Sequence, residues 1–397
     1  MDTRISASKS VLAVVFFLWV FFSLAPSPSH PAQAVELDDA KLADLVKKAY
    51  IYAFEQMMAA WSFAAVVLTA IAAEGAERGG PYVSAAVFAL GTAAIGGLAI
   101  NRYDMAVAAL IALFLLAMVR GWWEVAGIAI GLGFAMKIAP VLLLPLLLIV
   151  APWKRGLLAL ACFAVAGFAP FVWFLLSGPL AATNLQDMAL YHLARPLELE
   201  AVLGTPLWAA SLFAGPRVEI IRAANSLALD GPGAALAASL AGPLSGIGVL
   251  VAYGLALWRR CALRTDRRLI VMPVLAVLLT FLVFAKVLSP QYLIWTLAPM
   301  ALVFAGRRTL GLLLLLTTAL TQTVFPIGYR AIEAQWPQGV SLLVVRNVLI
   351  IVCAALALVH LARLRAVEEP ASEARHDAVG REEAADPYAP SDVPALA

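Results

Sequence analysis

A lysine, a serine, a proline, a glutamine and a tyrosine fall together in KVLSPQYLIW, residues 286–295, between two long uncharged runs. Such groups are costly to bury beside hydrocarbon and are better accommodated facing a watery cavity that holds a ligand. Ser289-Pro290 breaks a helix, and Gln291 and Tyr292 open the next. Broken helix ends that line a cavity are where membrane proteins place binding sites. A ligand held there would meet the ammonium of Lys286, and the rest of the chain decides what that ligand could be.

Three further polar islands interrupt apolar sequence. In Asn101-Arg102-Tyr103-Asp104 two readings stand side by side. One is an interfacial turn with Arg102 and Asp104 paired and Tyr103 among the headgroups; in the other, Arg102 or Asp104 orients a phosphate or an acceptor hydroxyl. Lys137, in GLGFAMKIAPVLLLP at 131–145, is the only charge for a long way on either side. It either snorkels to the interface or presents its ammonium to an anionic lipid phosphate. YHLARPLELE, residues 191–200, carries His192, Arg195, Glu198 and Glu200 on what reads as an amphipathic surface segment. That is a solvated interfacial helix, or else Arg195 or His192 takes a phosphate while the carboxylates accept from sugar hydroxyls. Cys162, Cys261 and Cys353 have no metal-type spacing and read as small buried hydrophobes, and no ligand cluster points to a metal.

The elements that must hold these islands follow from composition. The chain is 63% hydrophobic and 13% charged, more apolar than a soluble domain can hide, so lipid is its solvent. Unpaired backbone is excluded from hydrocarbon, which makes the fold class all-α, a polytopic transmembrane helical bundle. About twelve apolar spans can be marked, from 11–25 and 51–73 to 309–325 and 341–361, several of them short for a bilayer. Two adjacent short ones, 125–136 and 139–151, read as one broken helix. Lys154 and Arg155, the cluster Arg259, Arg260, Arg264, Arg267 and Arg268, the pair Arg307 and Arg308, and Arg363 and Arg365 fall on one side of this count. By the positive-inside rule that side is cytoplasmic, with both termini on it. The four polar islands, with the loops 177–230 and 326–338, then converge on the outer face. The net charge of +3 is too small and scattered for nucleic acid. Residues 1–50 combine a signal-like or first-span segment with an outer loop, 51–365 form the membrane domain, and the acidic, Pro-rich 366–397 reads as a disordered cytoplasmic tail.

KVLSPQYLIWTLAP, RYDMAVAAL followed by GLGFAMKIAPVLLLP, and YHLARPLELEAV together resemble glycosyltransferase family 87 over residues 50–365. These are polytopic mannosyltransferase-like enzymes of the GT-C class. The resemblance implies a polyprenyl-phosphate sugar as donor, a lipid or glycan acceptor, transfer with inversion at the outer face of the cytoplasmic membrane, and no cofactor beyond the donor. It further implies a catalytic aspartate in the first outer loop. Here residues 26–50 lack the family's acidic-Tyr-Pro-Pro sequence and offer Glu36, Asp38, Asp39 and Asp44 instead. That stretch is either a solvated helix face or the source of the base, with Asp38 or Asp39 as the candidate. The substrate-binding candidates are Arg102, Asp104, Lys137, His192, Arg195, Glu200, Lys286, Ser289, Gln291 and Tyr292. Two other readings are carried along: a lipid or solute transporter or flippase, and an inactive homologue with a replaced first loop. A transporter would be expected to show internal repeats and polar residues at mid-membrane depth.

Overall fold

The computed structural model describes residues 39–75, 80–213, 215 and 217–364. The expected span at 11–25, Asp38 and the acidic tail lie outside them. Packing divides the chain into 1–52 and 53–397. Of the first unit, the described part is the beginning of helix α1 (Asp39–Ala72), exposed over 43–52, where Lys48 and Asp44 pair at 2.7 Å one turn apart.

The second unit takes up α1 at Ala53 and continues through α2 (Gly80–Ile95), α3 (Leu98–Asn101), α4 (Asp104–Arg120), α5 (Trp123–Met136), α6 (Leu144–Val150), α7 (Trp153–Leu176), α8 (Ala181–Ala194) and α9 (Thr205–Leu212). A hairpin, β1 (Glu219–Ala223) and β2 (Ser226–Asp230), precedes α10 (Pro232–Trp258), α11 (Arg260–Thr265), α12 (Val271–Phe284), α13 (Leu297–Phe304), α14 (Arg308–Gln322), α15 (Tyr329–Glu333) and α16 (Pro337–Ala362). The chain is thus helical apart from one hairpin among the described residues. Six helical runs there are long and apolar enough to cross a membrane: Ala43–Ala72, Trp153–Leu176, Pro232–Trp258, Arg267–Phe284, Arg308–Ile327 and Pro337–Ala362. Five shorter apolar helices of 10–17 residues accompany them.

α4 and α12 are buried on nearly every side and form the centre, as helices apolar all round must be. α7 and α10 leave most of their surface outward. Between helices in lipid the drive to associate is close packing rather than loss of water, so small residues mark the interfaces. α5 meets α7 that way. A Cβ on Gly127 would stand 2.1 Å from the Ala159 carbonyl oxygen, and one on Gly131 2.7 Å from that of Phe163.

Prolines set the breaks. The 125–151 stretch is broken as its sequence suggests: α5 ends at Met136, Lys137 is extended at φ −159°, and a 3-10 turn at Ala139–Leu143 carries Pro140 into α6. α12 stops at Phe284, and Pro290, which lacks an N–H and forces Ser289 into extended geometry, starts a 3-10 turn over Pro290–Thr296 that leads into α13.

Residues 177–230 are more than a loop. Beyond α8 and α9, the hairpin closes through Ala224 and Asn225, both at positive φ (51° and 57°), the two-residue turn whose twist matches paired strands. Leu197, Leu199, Trp208, Leu227 and Leu229 pack with Val324, Ile332 and Leu343 into a second apolar core. Gln335 locks the two parts by accepting from the Val218 N–H at 3.1 Å and donating to its carbonyl at 2.7 Å, and Arg222 pairs with Glu333 at 3.2 Å.

α4 gives the bundle its polarity. Its 17 residues rise about 25 Å at 1.5 Å each, with Asp104 at one end and Arg120 at the other.

Candidate functional site

Asp104 is the first residue of α4, where the free N–H groups of a helix start favour a carboxylate. It is 1% exposed. Its Oδ1 accepts from Lys137 Nζ at 2.6 Å and from Trp295 Nε1 at 2.7 Å. A buried carboxylate needs such partners. The Lys137 ammonium lies 4.9 Å from the Tyr103 ring centroid, 4.6 Å from that of Tyr292 and 5.1 Å from that of Trp295, distances at which aromatic faces attract a cation. On the 3-10 turn residues three apart eclipse one another, and Tyr292 stacks on Trp295 with centroids 4.5 Å apart and planes at 19°. Two readings change here. Lys137 does not snorkel outward, and Asp104 pairs with Lys137 rather than with Arg102. Arg102 is exposed, though near enough for its charge to be felt at Asp104 and Lys137.

The second part of the site is built from extended chain. Pro196 holds Arg195 out of helical geometry at ψ 133° and ends α8. The expectation of one amphipathic segment over 191–200 is therefore corrected: 191–194 are helical, whereas 197–199 are extended and meet β2 at a single antiparallel bridge, Glu198 to Ala228. Leu229 donates to the Leu197 carbonyl at 2.9 Å, Leu199 to that of Leu227 at 3.0 Å, and Glu198 N–H to that of Lys286 at 2.9 Å. Segment 286–289 is thereby laid beside 193–198, and Lys286 Nζ donates to the Leu193 carbonyl at 2.7 Å. Arg195 donates to Ser226 Oγ at 3.0 Å and lies 3.6 Å from Glu198 Oε1, to which Ser289 Oγ also donates at 3.4 Å. The second Glu198 oxygen is buried without a partner among the described residues. Burial pushes the Glu198 carboxyl up, against the pull of Arg195, Ser289 and the Leu288 N–H. Burial, then Arg195, lowers Lys286; burial with the Arg195 and Lys286 charges lowers His192, which is exposed and edge-on to Tyr191.

Tyr292 joins the two parts, because the charges of Glu198, Asp104 and Arg195 all reach its hydroxyl. Segments from four distant places in the chain thus meet at one end of the bundle. Four cations, Arg102, Lys137, Arg195 and Lys286, stand against two carboxylates, Asp104 and Glu198, an excess of two positive charges.

Glu200 faces away from this group. Its Oε2 accepts from Arg346 Nη2 at 2.7 Å, with both side chains buried, and Asn347 Nδ2 donates to Thr205 Oγ1 at 2.9 Å. Burial pushes the Glu200 carboxyl up to about 7, opposed by Arg346 and reinforced by Glu198. Arg346 Nε and Nη1 and Asn347 Oδ1 remain unpartnered among the described residues.

Of the expected residues, Asp104, Lys137, Arg195, Lys286, Ser289 and Tyr292 come together, with His192 and Arg102 at the rim. Gln291 is half-buried beside them without a side-chain partner among the described residues. Asp39 is the first residue of α1, in the other unit, and Asp38 lies outside the described residues. Sequence reasoning passed over Arg346, although it is the sole lysine, arginine or carboxylate in the run 341–361, a recognised mark of a paired intramembrane charge. Nor did it mark Trp295, whose side chain is 2% exposed and bonded to Asp104. No group of three or more His, Cys, Asp or Glu suited to a metal occurs among the described residues. No family model, curated protein or solved structure matches the chain.

Proposed function

We propose that this protein is a polytopic membrane glycosyltransferase of the GT-C type, with about twelve spans, that moves a sugar, mannose in the first instance, from a polyprenyl-phosphate donor to a lipid or glycan acceptor at the outer face of the cytoplasmic membrane. The observation that carries this reading is the convergence of Lys137 and Arg195 on Tyr292, with Arg102 beside Asp104 and Lys286 beside Arg195, at one end of an apolar bundle. A ligand with an anionic head and a hydrocarbon tail fits such a place, with cations holding the phosphate and lipid-facing helices taking the prenyl chain.

In this mechanism Glu198 supplies the base. It has one oxygen held by Ser289 near Arg195 and one buried without a partner among the described residues, and burial raises its carboxyl, which strengthens it as a proton acceptor. The acceptor oxygen attacks the anomeric carbon and its proton passes to Glu198. The bond from the anomeric carbon to the phosphate oxygen breaks on the opposite face, and polyprenyl phosphate leaves with that electron pair. Arg195 and Lys286 stabilise the charge appearing on the phosphate.

The test is transfer of labelled mannose from polyprenyl-phosphate mannose to lipid and glycan acceptors by the purified full-length protein. Glu198→Gln should lower kcat by about 100-fold or more, the usual contribution of a positioned base, and Lys137→Met and Lys286→Met should each weaken donor use. Absence of transfer to every acceptor, with donor crossing sealed vesicles unchanged, would establish a flippase instead.

A further inference from the structure

The far end of the bundle carries a different kind of site. Five arginines, Arg259, Arg260, Arg264, Arg267 and Arg268, lie on ten consecutive residues around α11. Among the described residues none of the five has a carboxylate within ion-pair distance, whereas Arg120 pairs with Glu74 and Arg155 with Glu124. Asp266, the one carboxylate in the segment, caps the turn by accepting the Arg268 N–H at 3.0 Å. A positive-inside bias accounts for the count of arginines. It does not account for Arg264 being fastened to a carbonyl and Arg267 set against an aromatic ring over one open cleft.

Arg264 is fixed by two donations to the Ile149 carbonyl, at 3.2 and 3.0 Å. Arg267 sits 5.9 Å from the Trp123 ring centroid and closely against Gly121, which has positive φ and lacks the Cβ that would collide with the guanidinium. Between these two arginines and a wall of Trp123, Val150 and Pro152 lies a cleft of about 280 Å³. A second cleft of about 280 Å³ opens between Arg268 and Arg307 over Val271, Met272 and Leu302. Each has a cationic rim and an apolar wall. Carbonyls anchor a guanidinium without cancelling its charge, so an anion entering the cleft finds its donors already ordered.

We propose that the Arg264–Arg267 cleft binds the phosphate of an anionic phospholipid headgroup, its glycerol and upper acyl carbons resting on Trp123, Val150 and Pro152. Basic pockets between membrane helices at the cytoplasmic end take such headgroups, each arginine contributing a factor of roughly five in affinity. The site is separate from the proposed transferase centre by the length of α12 and does not depend on transferase activity.

The experiment uses the full-length protein in nanodiscs, with native mass spectrometry and thermal melts counting and ranking bound lipid. Phosphatidylglycerol should be retained over phosphatidylcholine and should raise the melting temperature, and R264Q/R267Q should weaken that retention about 25-fold, two arginines at roughly fivefold each. R155Q, at the same end but paired with Glu124, should leave it intact. Equal retention of both lipids, or retention unchanged in R264Q/R267Q, overturns the proposal. Stabilisation of the detergent-solubilised protein by inorganic phosphate as strong as by phosphatidylglycerol also overturns it, since the site would then be one for a soluble anion.

Discussion

Glu200 and Arg346 are a carboxylate and a guanidinium removed from water, and their energetics depend on what replaces water. The desolvation of both ions is offset only in part by one 2.7 Å hydrogen bond, since two guanidinium nitrogens stay unpartnered among the described residues. The Glu200 carboxyl consequently stands at about 7, above the 4.5 of the unfolded chain. The folded state therefore holds that proton more tightly. Its contribution to stability is full below pH 4.5 and is lost as pH rises through about 7. The double variant Glu200→Gln with Arg346→Met should remove that decline, so that melting temperature in detergent changes less between pH 5 and 7.5 than in the parent. Arg346→Met alone leaves a buried carboxylate without its partner, and at neutral pH it should cost about 3–5 kcal/mol. If the double variant keeps the parent's pH slope, the slope belongs to another group. At this scale the sequence exposed the anomalies but not their partners. Lys137 is conspicuous as a lone charge, yet nothing local says that Asp104, 33 residues earlier, is what it meets.

Elements were legible where proline or a long apolar run dictated them. The breaks at Pro140 and Pro290 follow from the missing N–H and the restricted preceding residue. The segment Leu197-Glu198-Leu199-Glu200 alternates apolar and charged residues, the period of a strand, but its amphipathic look hid that both faces are buried. The leucines go into the second core and the glutamates to Ser289 and Arg346. Its pairing partners lie at 227–229 and 286, too far along the chain for local pattern to announce them. Helix pairs are similar: Gly127 and Gly131 read as ordinary glycines until α7 is set against them. Gly127→Val should sharply reduce the yield of monodisperse protein, because a carbonyl oxygen stands 2.1 Å from the new Cβ and backbone cannot retreat as a flexible side chain can. Gly246→Ala in α10 meets nothing within 4 Å and should be neutral or stabilising by up to about 1 kcal/mol. Melts followed by size-exclusion fluorescence read both. Equal behaviour of the two would rule out the close α5–α7 contact.

At the scale of the molecule, α4 runs from Asp104 to Arg120 and α12 lies between Arg267–Arg268 and Lys286, so the proposed function and the orientation are one question. The arginine loops predict which end faces the cytoplasm, and convergence of the polar islands predicts that the site is at the other. The chain contains its own reporter: Cys261 is exposed within α11, whereas Cys353 is buried and Cys162 lies half-covered in α7. Ser177, exposed at the end of α7, is the matching place for an introduced thiol. A membrane-impermeant maleimide should label S177C in intact cells and Cys261 only after permeabilisation, because each thiol must be ionised in water to react. The reverse pattern would turn the Arg195–Lys286–Glu198 group toward the cytoplasm. An outer-leaflet donor would then be impossible, and the arginine clefts would face the leaflet poorer in anionic lipid. Labelling of both thiols in intact cells would place the ends of α7 and α11 on the same side, contrary to a bilayer crossing by α10 (Pro232–Trp258), whose 27 residues rise about 40 Å between them.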